Sequence, residues 1–240
     1  MGLNIDRNNN VMFDDTHQRR VDTSLDKNPS KGRVGNVDLR FVFRRNRTGD
    51  LDRDGNPLIY ALKGMNGYGI VDFYRRKFFK RAEDIVNVFA HEVDADFVMP
   101  VPSGYSFCSE FAEELSGWLG LPFLSPDFLD KKTVGEALAD AKANPVNIKN
   151  KRTKRLYTSQ LYQWQHMDSG QHVAMKELDK KIRGYVRPMK LIGDTSHLAE
   201  KKVLIVDDLM SSGTSIRCAA ELLQSQGVEV NMGVFFLSGL

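Results

Sequence analysis

Two adjacent carboxylates, Asp207 and Asp208, stand at the end of an apolar run, Val203-Leu204-Ile205-Val206. After Leu209 and Met210 come five small residues, Ser211, Ser212, Gly213, Thr214 and Ser215. Four consecutive apolar residues predict a strand buried on both faces, and the carboxyl edge of an open α/β sheet is where ligands bind. Small residues turning into a helix let backbone N–H groups converge, while hydroxyls add donors and the helix N-terminus favours an anion. A phosphate held there lies within a few ångströms of two carboxylates that repel it unless something sits between them. A sugar diol is the natural candidate. The pattern thus describes a pocket for a sugar 5-phosphate whose vicinal hydroxyls are held by the acids.

Other patterns share parts of this run. An apolar strand ending in Asp-Asp also opens receiver domains, but too little chain follows Asp208 to build one. A Walker B strand looks similar, yet there is no Gly-Lys dipeptide and so no Walker A loop. A solvated turn with a Ser/Thr helix cap would require the acid pair and the small-residue loop to coincide by chance.

The elements that position these residues are legible in outline. Residues 202–207 read as a strand, 214–226 as a helix stopped by Gly227, and 228–237 as a second strand. Earlier, residues 96–101 read as a buried strand followed by a Pro/Ser/Gly loop. A helix then buries Phe107, Phe111, Leu115 and Leu119 and is stopped by Gly120 and Pro122. Thr133 and Glu136 form a capping box ahead of a short Ala-rich helix. From Val71, apolar residues Tyr74, Phe78, Ala82, Ile85 and Phe89 recur at helical spacing, with Arg75, Arg76, Lys77, Lys80 and Arg81 on the other face. Val37, Leu39, Phe41 and Phe43 alternate as in a half-buried strand, and residues 50–55 supply turn chemistry before a short apolar run at 58–62. Strands joined through helices predict an α/β fold, with a mostly parallel sheet flanked by helices. Residues 1–36 are polar and read as an arm, 37–94 as an N-terminal hood or helical extension, and 95–240 as the main domain. The stretch 144–184 is polar without a clear apolar stripe and reads as flexible.

The run VLIVDDLMSSGTS resembles the phosphoribosyl-pyrophosphate (PRPP) motif of type I phosphoribosyltransferases. That resemblance implies that Asp207 and Asp208 hold the ribose 2- and 3-hydroxyls, while residues 211–215 cradle the 5-phosphate. A second family element is a loop that contacts pyrophosphate. Pro102, Ser103, Gly104 and Tyr105, after the strand at 98–101, fit it, and Pro-Val-Pro is similar to the ComF-like branch. The resemblance spans about residues 95–237. It implies an enzyme that transfers phosphoribose to or from a nitrogen acceptor with pyrophosphate release. Catalysis would pass through an oxocarbenium-like state, with Mg²⁺ as cofactor held largely by the substrate. It also implies a homodimer, and a lid from the middle of the chain, where Lys151, Arg152, Lys154 and Arg155 would clamp pyrophosphate. Because the chain ends at Leu240, any hood over the acceptor is expected from the N-terminal side, where Tyr60, Asn66, Tyr68 and the glycines 64, 67 and 69 would line it.

Two other classes remain open at this point. One is a PRPP- or nucleotide-sensing regulatory protein that kept the pocket without turnover. The other is a toxin-type or interaction component binding single-stranded nucleic acid through the basic run, with Tyr157, Tyr162 and Trp164 as stacking groups.

Composition sets the bounds. In 240 residues, 41% hydrophobic and 27% charged is globular composition, and a net charge of +3 is too mild to demand nucleic acid. Two cysteines, Cys108 and Cys218, cannot build a disulfide scaffold and suit a reducing, cytoplasmic compartment. No apolar run approaches the ~20 residues that cross a bilayer, so no membrane partner is expected. Asp50, Asp52, Asp54 and Gly55 match part of a calcium loop, but Ala61 stands where its bidentate Glu belongs, so a hairpin turn is expected there. The five histidines have no metal-ligand spacing.

Overall fold

The computed structural model describes residues 2–46 and 56–239. Its strands are β1 (Gly2–Ile5), β2 (Asn10–Asp14), β3 (Val21–Asp22), β4 (Ser30–Val34), β5 (Val37–Arg45), β6 (Gly69–Ile70), β7 (Phe97–Pro100), β8 (Leu129–Lys131), β9 (Met189–Leu191), β10 (Val203–Leu209) and β11 (Met232–Leu237). Its α-helices are α1 (Asn56–Leu62), α2 (Asp72–Phe89), α3 (Phe107–Leu119), α4 (Val134–Ala143), α5 (Lys151–Trp164) and α6 (Thr214–Gln224).

Four strands, β5, β11, β10 and β7, run parallel in that spatial order, with β3 and β4 pairing antiparallel to β5 at the edge. Alternation along β10 explains why the sheet needs cover on both sides. Leu204 and Val206 enter a core with α2 and α3, through Phe78, Ile85, Phe89, Phe107 and Phe111. Val203 and Ile205 enter a second core with α6, through Ile216, Ala219, Ala220 and Leu223. Phe236 of β11 centres the first core, its ring 5.0–5.1 Å from those of Phe43, Phe107 and Phe111. Full burial of one such side chain contributes about 1.5–3 kcal/mol. This is the α/β, mostly parallel sheet that the sequence predicts.

Several local expectations are corrected. Residues 2–34 form four strands instead of a loose arm, and Leu3, Val11 and Val21 are fully buried. So few apolar residues suffice because β1 and β2 form a sheet with β6 and lay Leu3 and Val11 against the α2 core. β5 is buried on both faces, since Leu39 and Phe41 turn toward α6 and Val42 and Phe43 toward α2. Residues assigned to the hood therefore supply a parallel strand of the central sheet. Asp50, Asp52, Asp54 and Gly55, the site of the expected turn, lie outside the described residues, and the short apolar run that follows them is helix α1.

The stretch 144–184 is also more ordered than its polarity suggests. It contains α5, whose Tyr157, Leu161 and Trp164 recur at four- and three-residue steps. Trp164 is buried with Val173, Leu178, Ile182 and Val186 against Val134 and Ala137 of α4, making a small third core. The capping box at the start of α4 is present, with both Thr133–Glu136 hydrogen bonds made.

Candidate active site

β10 delivers its two acids to the carboxyl edge of the sheet. The amide of Val101 donates to the Val206 carbonyl at 2.9 Å, which sets the loop after β7 beside Asp207 and Asp208. Pro102, Ser103, Gly104 and Tyr105 line a cleft of about 300 Å³ together with Asp207, Asp208 and Ser215. An adjoining cavity of about 190 Å³ is walled by Ser211, Ser212, Gly213, Thr214, Ser215 and Asp207. The two share Asp207, Leu209, Met175 and Ser215, so Asp207 stands at their junction, with Asp208 on the side of the larger cleft. The two loops named from the sequence are thus brought together around one bipartite cleft.

The phosphate-type loop has the geometry its composition implies. Gly213 precedes α6 with φ +66°, and no side chain caps the helix N-terminus. A Cβ at Gly213 would stand 2.6 Å from Val34 Cγ2 of β4, so only glycine fits. Ser212 and Thr214 hydroxyls lie 2.8 Å apart.

The electrostatics centre on the acids. Asp208 is buried, and its backbone N–H donates to Asp207 Oδ1 at 2.8 Å. Lys63 Nζ, just past the end of α1, lies 2.5 Å from Asp208 Oδ2 and 5.2 Å from the centre of the Tyr105 ring. Burial, and then the neighbouring Asp208 charge, push the Asp207 carboxyl well above the usual carboxylate range. Lys131 on β8 lines the same cleft, and burial pulls its ammonium down, partly opposed by Asp207. Cys108 lies behind the acids with its thiol 3.5 Å from the Val206 carbonyl, and burial raises it, which makes it an inert core residue.

Sequence reasoning missed Lys63, Lys131 and Arg183. Arg183 is buried, lines the smaller cavity and donates from Nη1 to Ser211 Oγ at 2.6 Å. None carries a sequence signal, since a Lys at a helix end, a Lys-Lys pair and an Arg in a polar stretch are commonplace. By contrast, Lys151, Arg152, Lys154 and Arg155 lie at the start of α5, on the surface. Three of them line an open groove with Thr158, Ser159 and Tyr162, apart from the cleft. Trp164 is in the core and unavailable for stacking. Of the expected hood residues, Tyr60 and Tyr68 pack on each other with ring centres 5.8 Å apart, and Lys63 is the residue from that stretch that lines the cleft.

Among the described residues no cluster of three or more His, Cys, Asp and Glu is placed to hold a metal. The two adjacent carboxylates are hard oxygen donors suited to Mg²⁺ if the other ligands come from a substrate.

Residues 96–238 match the phosphoribosyl transferase domain family, which covers more than half of the chain. The protein belongs to that family, and it is a phosphoribosyltransferase. Solved structures that it resembles include adenine phosphoribosyltransferases from three organisms. For the one from Leishmania tarentolae, identity is 12%, coverage is 99% of this chain and 94% of that chain, and the TM-score is 0.39. For Thermoanaerobacter pseudethanolicus the values are 15%, 78%, 85% and 0.37. For Saccharomyces cerevisiae, in a complex containing adenine, they are 16%, 67%, 69% and 0.35. No curated protein matches the sequence.

Proposed function

We propose that the protein binds PRPP and transfers its phosphoribose to a nitrogen acceptor, releasing pyrophosphate, or runs the same reaction in reverse. The observation that carries this is the junction of two cavities at Asp207. One cavity is walled by residues 211–215 and the other by residues 102–105. The amides of the small-residue loop and of the first turn of α6 hold the 5-phosphate. Asp207 and Asp208 accept from the ribose hydroxyls and place negative charge near the anomeric carbon as it becomes cationic. The anomeric C–O bond breaks with its electron pair leaving on pyrophosphate. The acceptor nitrogen forms the new C–N bond from the opposite face and gives up its proton.

Lys63 and Lys131 line the cleft on the side of the 102–105 loop and would neutralise the leaving group. Asp207 and Asp208 are the residues that would hold Mg²⁺, which supplies further charge neutralisation on the pyrophosphate oxygens. In this reading Lys151, Arg152, Lys154 and Arg155 act only if α5 approaches the cleft. The same reading takes the protein as a cytoplasmic homodimer in which Cys108 and Cys218 stay free thiols, consistent with their burial.

The test is a thermal melt of the full chain. PRPP with Mg²⁺ at a hundred times its Kd should stabilise by about 2.7 kcal/mol, and ribose 5-phosphate much less at equal concentration. A melt unmoved by saturating PRPP and Mg²⁺ rejects the pocket assignment. Pyrophosphate release across a panel of free bases then identifies the acceptor.

A further inference from the structure

We propose that the outer face of α5 is a binding surface for single-stranded nucleic acid, separate from the reaction cleft. The stretch from Ala141 to Met167 contains Lys142, Lys149, Lys151, Arg152, Lys154 and Arg155 and not one Asp or Glu. The whole chain carries only +3, so positive charge is concentrated here. The flanking acids are engaged elsewhere. Asp140 pairs with Lys132 at 2.8 Å, and Asp168 accepts from the Gly170 amide at 2.9 Å. Among the described residues none of the six cations forms an ion pair. Helix α2 shows the contrast, since there Arg75 pairs with Glu110 and Lys80 with Glu83 and Asp84.

The arrangement works against the helix that carries it. Lys151, Arg152, Lys154 and Arg155 crowd the positive end of the α5 dipole, and no acid stands in its first turn. Like charges three and four positions apart also repel. The backbone is nevertheless fixed at both ends. The Asn150 side chain accepts from the Thr153 amide at 3.0 Å, and Trp164 is buried in the third core. A bound polyanion relieves the repulsion and meets cations that are already in a row.

Lys151, Lys154, Thr158 and Tyr162 follow one another at three- and four-residue steps, with Arg155 beside them, on the face opposite Tyr157, Leu161 and Trp164. With Ser159 they line an open groove of about 590 Å³. Lys151 to Tyr162 covers about 16 Å of helix, room for a few nucleotides. Tyr162 is 63% exposed. His166, one turn on, donates from Nδ1 to the Tyr162 carbonyl at 2.8 Å, and the two ring centres are 4.6 Å apart. The imidazole thus backs the phenol ring and leaves the rest of it open to solvent.

That combination selects the partner. The cations and the Thr158 and Ser159 hydroxyls suit phosphate oxygens, and the Tyr162 ring suits the face of an unpaired base. A duplex keeps its bases stacked inside and offers no such face. A membrane surface calls for an apolar stripe of Trp, Phe or Leu, which this face lacks.

The test is fluorescence anisotropy of labelled oligothymidylate and oligouridylate with the full chain over a salt series, with a duplex of equal length as control. Contacts from Lys151, Lys154 and Arg155 predict a slope of log K against log salt of about −2. Lys151→Gln, Lys154→Gln and Arg155→Gln together should flatten that slope to near zero and weaken binding at low salt by roughly 10-fold or more. Tyr162→Ala should weaken it ~5- to 150-fold with the slope unchanged, and Tyr162→Phe should keep it. All four side chains are exposed, so thermal melts of the variants should match the unaltered chain. PRPP with Mg²⁺ should not displace the oligonucleotide.

No binding of either single strand at low salt overturns the proposal, and so does undiminished binding by the triple variant or by Y162A. Equal affinity for the duplex overturns it as well, since a bare charge patch does not distinguish the two. Capture by phosphatidylserine vesicles without oligonucleotide binding overturns it in favour of a membrane surface. Displacement by PRPP overturns the separation from the cleft and assigns the cations to a lid. If the triple variant does not fold, Arg155→Gln alone decides, with a slope smaller by about 0.7 supporting the surface and an unchanged slope refuting it.

Discussion

Asp207→Asn is expected to stabilise the free protein while destroying its response to PRPP. Asp207 is half-buried beside Asp208, and burial together with that neighbouring charge raises its carboxyl above the ordinary value of 3.8. Between 3.8 and its raised value the folded protein retains a proton that the unfolded chain has released. Stability therefore falls as pH rises through that window, because the slope follows protons bound in the unfolded minus the folded state. Burial raises the carboxyl from 3.8 to about 8. Each pH unit is worth ~1.4 kcal/mol, and counting half of that window because Asp207 is only half-buried gives a cost of about 3 kcal/mol at pH 8.

Asparagine removes this cost and keeps Oδ1 as the acceptor for the Asp208 amide. For a chain of this size ~1 kcal/mol moves Tm by about 2–4 °C, which gives a gain of about 6–12 °C at pH 8. At about pH 4.5 the gain should shrink to about 1 kcal/mol or less, about 2–4 °C, since only the first part of the window above 3.8 has been crossed there. The assay is a pair of melts at the two pH values, without ligand and with PRPP plus Mg²⁺. No gain at pH 8, or the same gain at both pH values, refutes the electrostatic reasoning. An intact PRPP-induced rise in Tm in the variant refutes the role of the acid.

Gly213→Val should unfold more than it unbinds. Backbone strain at φ +66° and the clash with Val34 together cost about 2–6 kcal/mol, read as a lowered denaturant midpoint, with Gly213→Ala milder. Lys63→Met leaves Asp208 buried without its cation and should destabilise by about 3–5 kcal/mol. Adding Asp208→Asn should recover most of that, and strict additivity in the double-mutant cycle would show that the pair is not coupled. Neutralising Lys151, Arg152, Lys154 and Arg155 should leave ribose 5-phosphate affinity unchanged, since these side chains lie on the surface away from the cleft. The PRPP titration of the same variant decides whether α5 acts as a lid, and a lid requires a weaker Kd.

Sequence alone determined the strand–acid pair–loop–helix unit around Asp207 and its family, because a strand buried on both faces, a glycine-dependent turn and a helix start each leave local residue signatures. It also placed the 102–105 loop and helices α2, α3 and α4 near their observed bounds, since caps and apolar stripes are read within a single element. Tertiary structure decided what distant elements share. Residues 2–34 looked too polar to fold until the pairing of β1 with β2 and the α2 core gave Leu3 and Val11 somewhere to bury. The stripe of Tyr157, Leu161 and Trp164 was too short to outweigh its polar neighbours until α4 and the 173–186 turns closed around Trp164. Lys63, Lys131 and Arg183 are separated by tens to hundreds of positions from the residues they serve. Their roles come from three separate parts of the chain meeting at one sheet edge, and no local pattern in the sequence encodes that meeting.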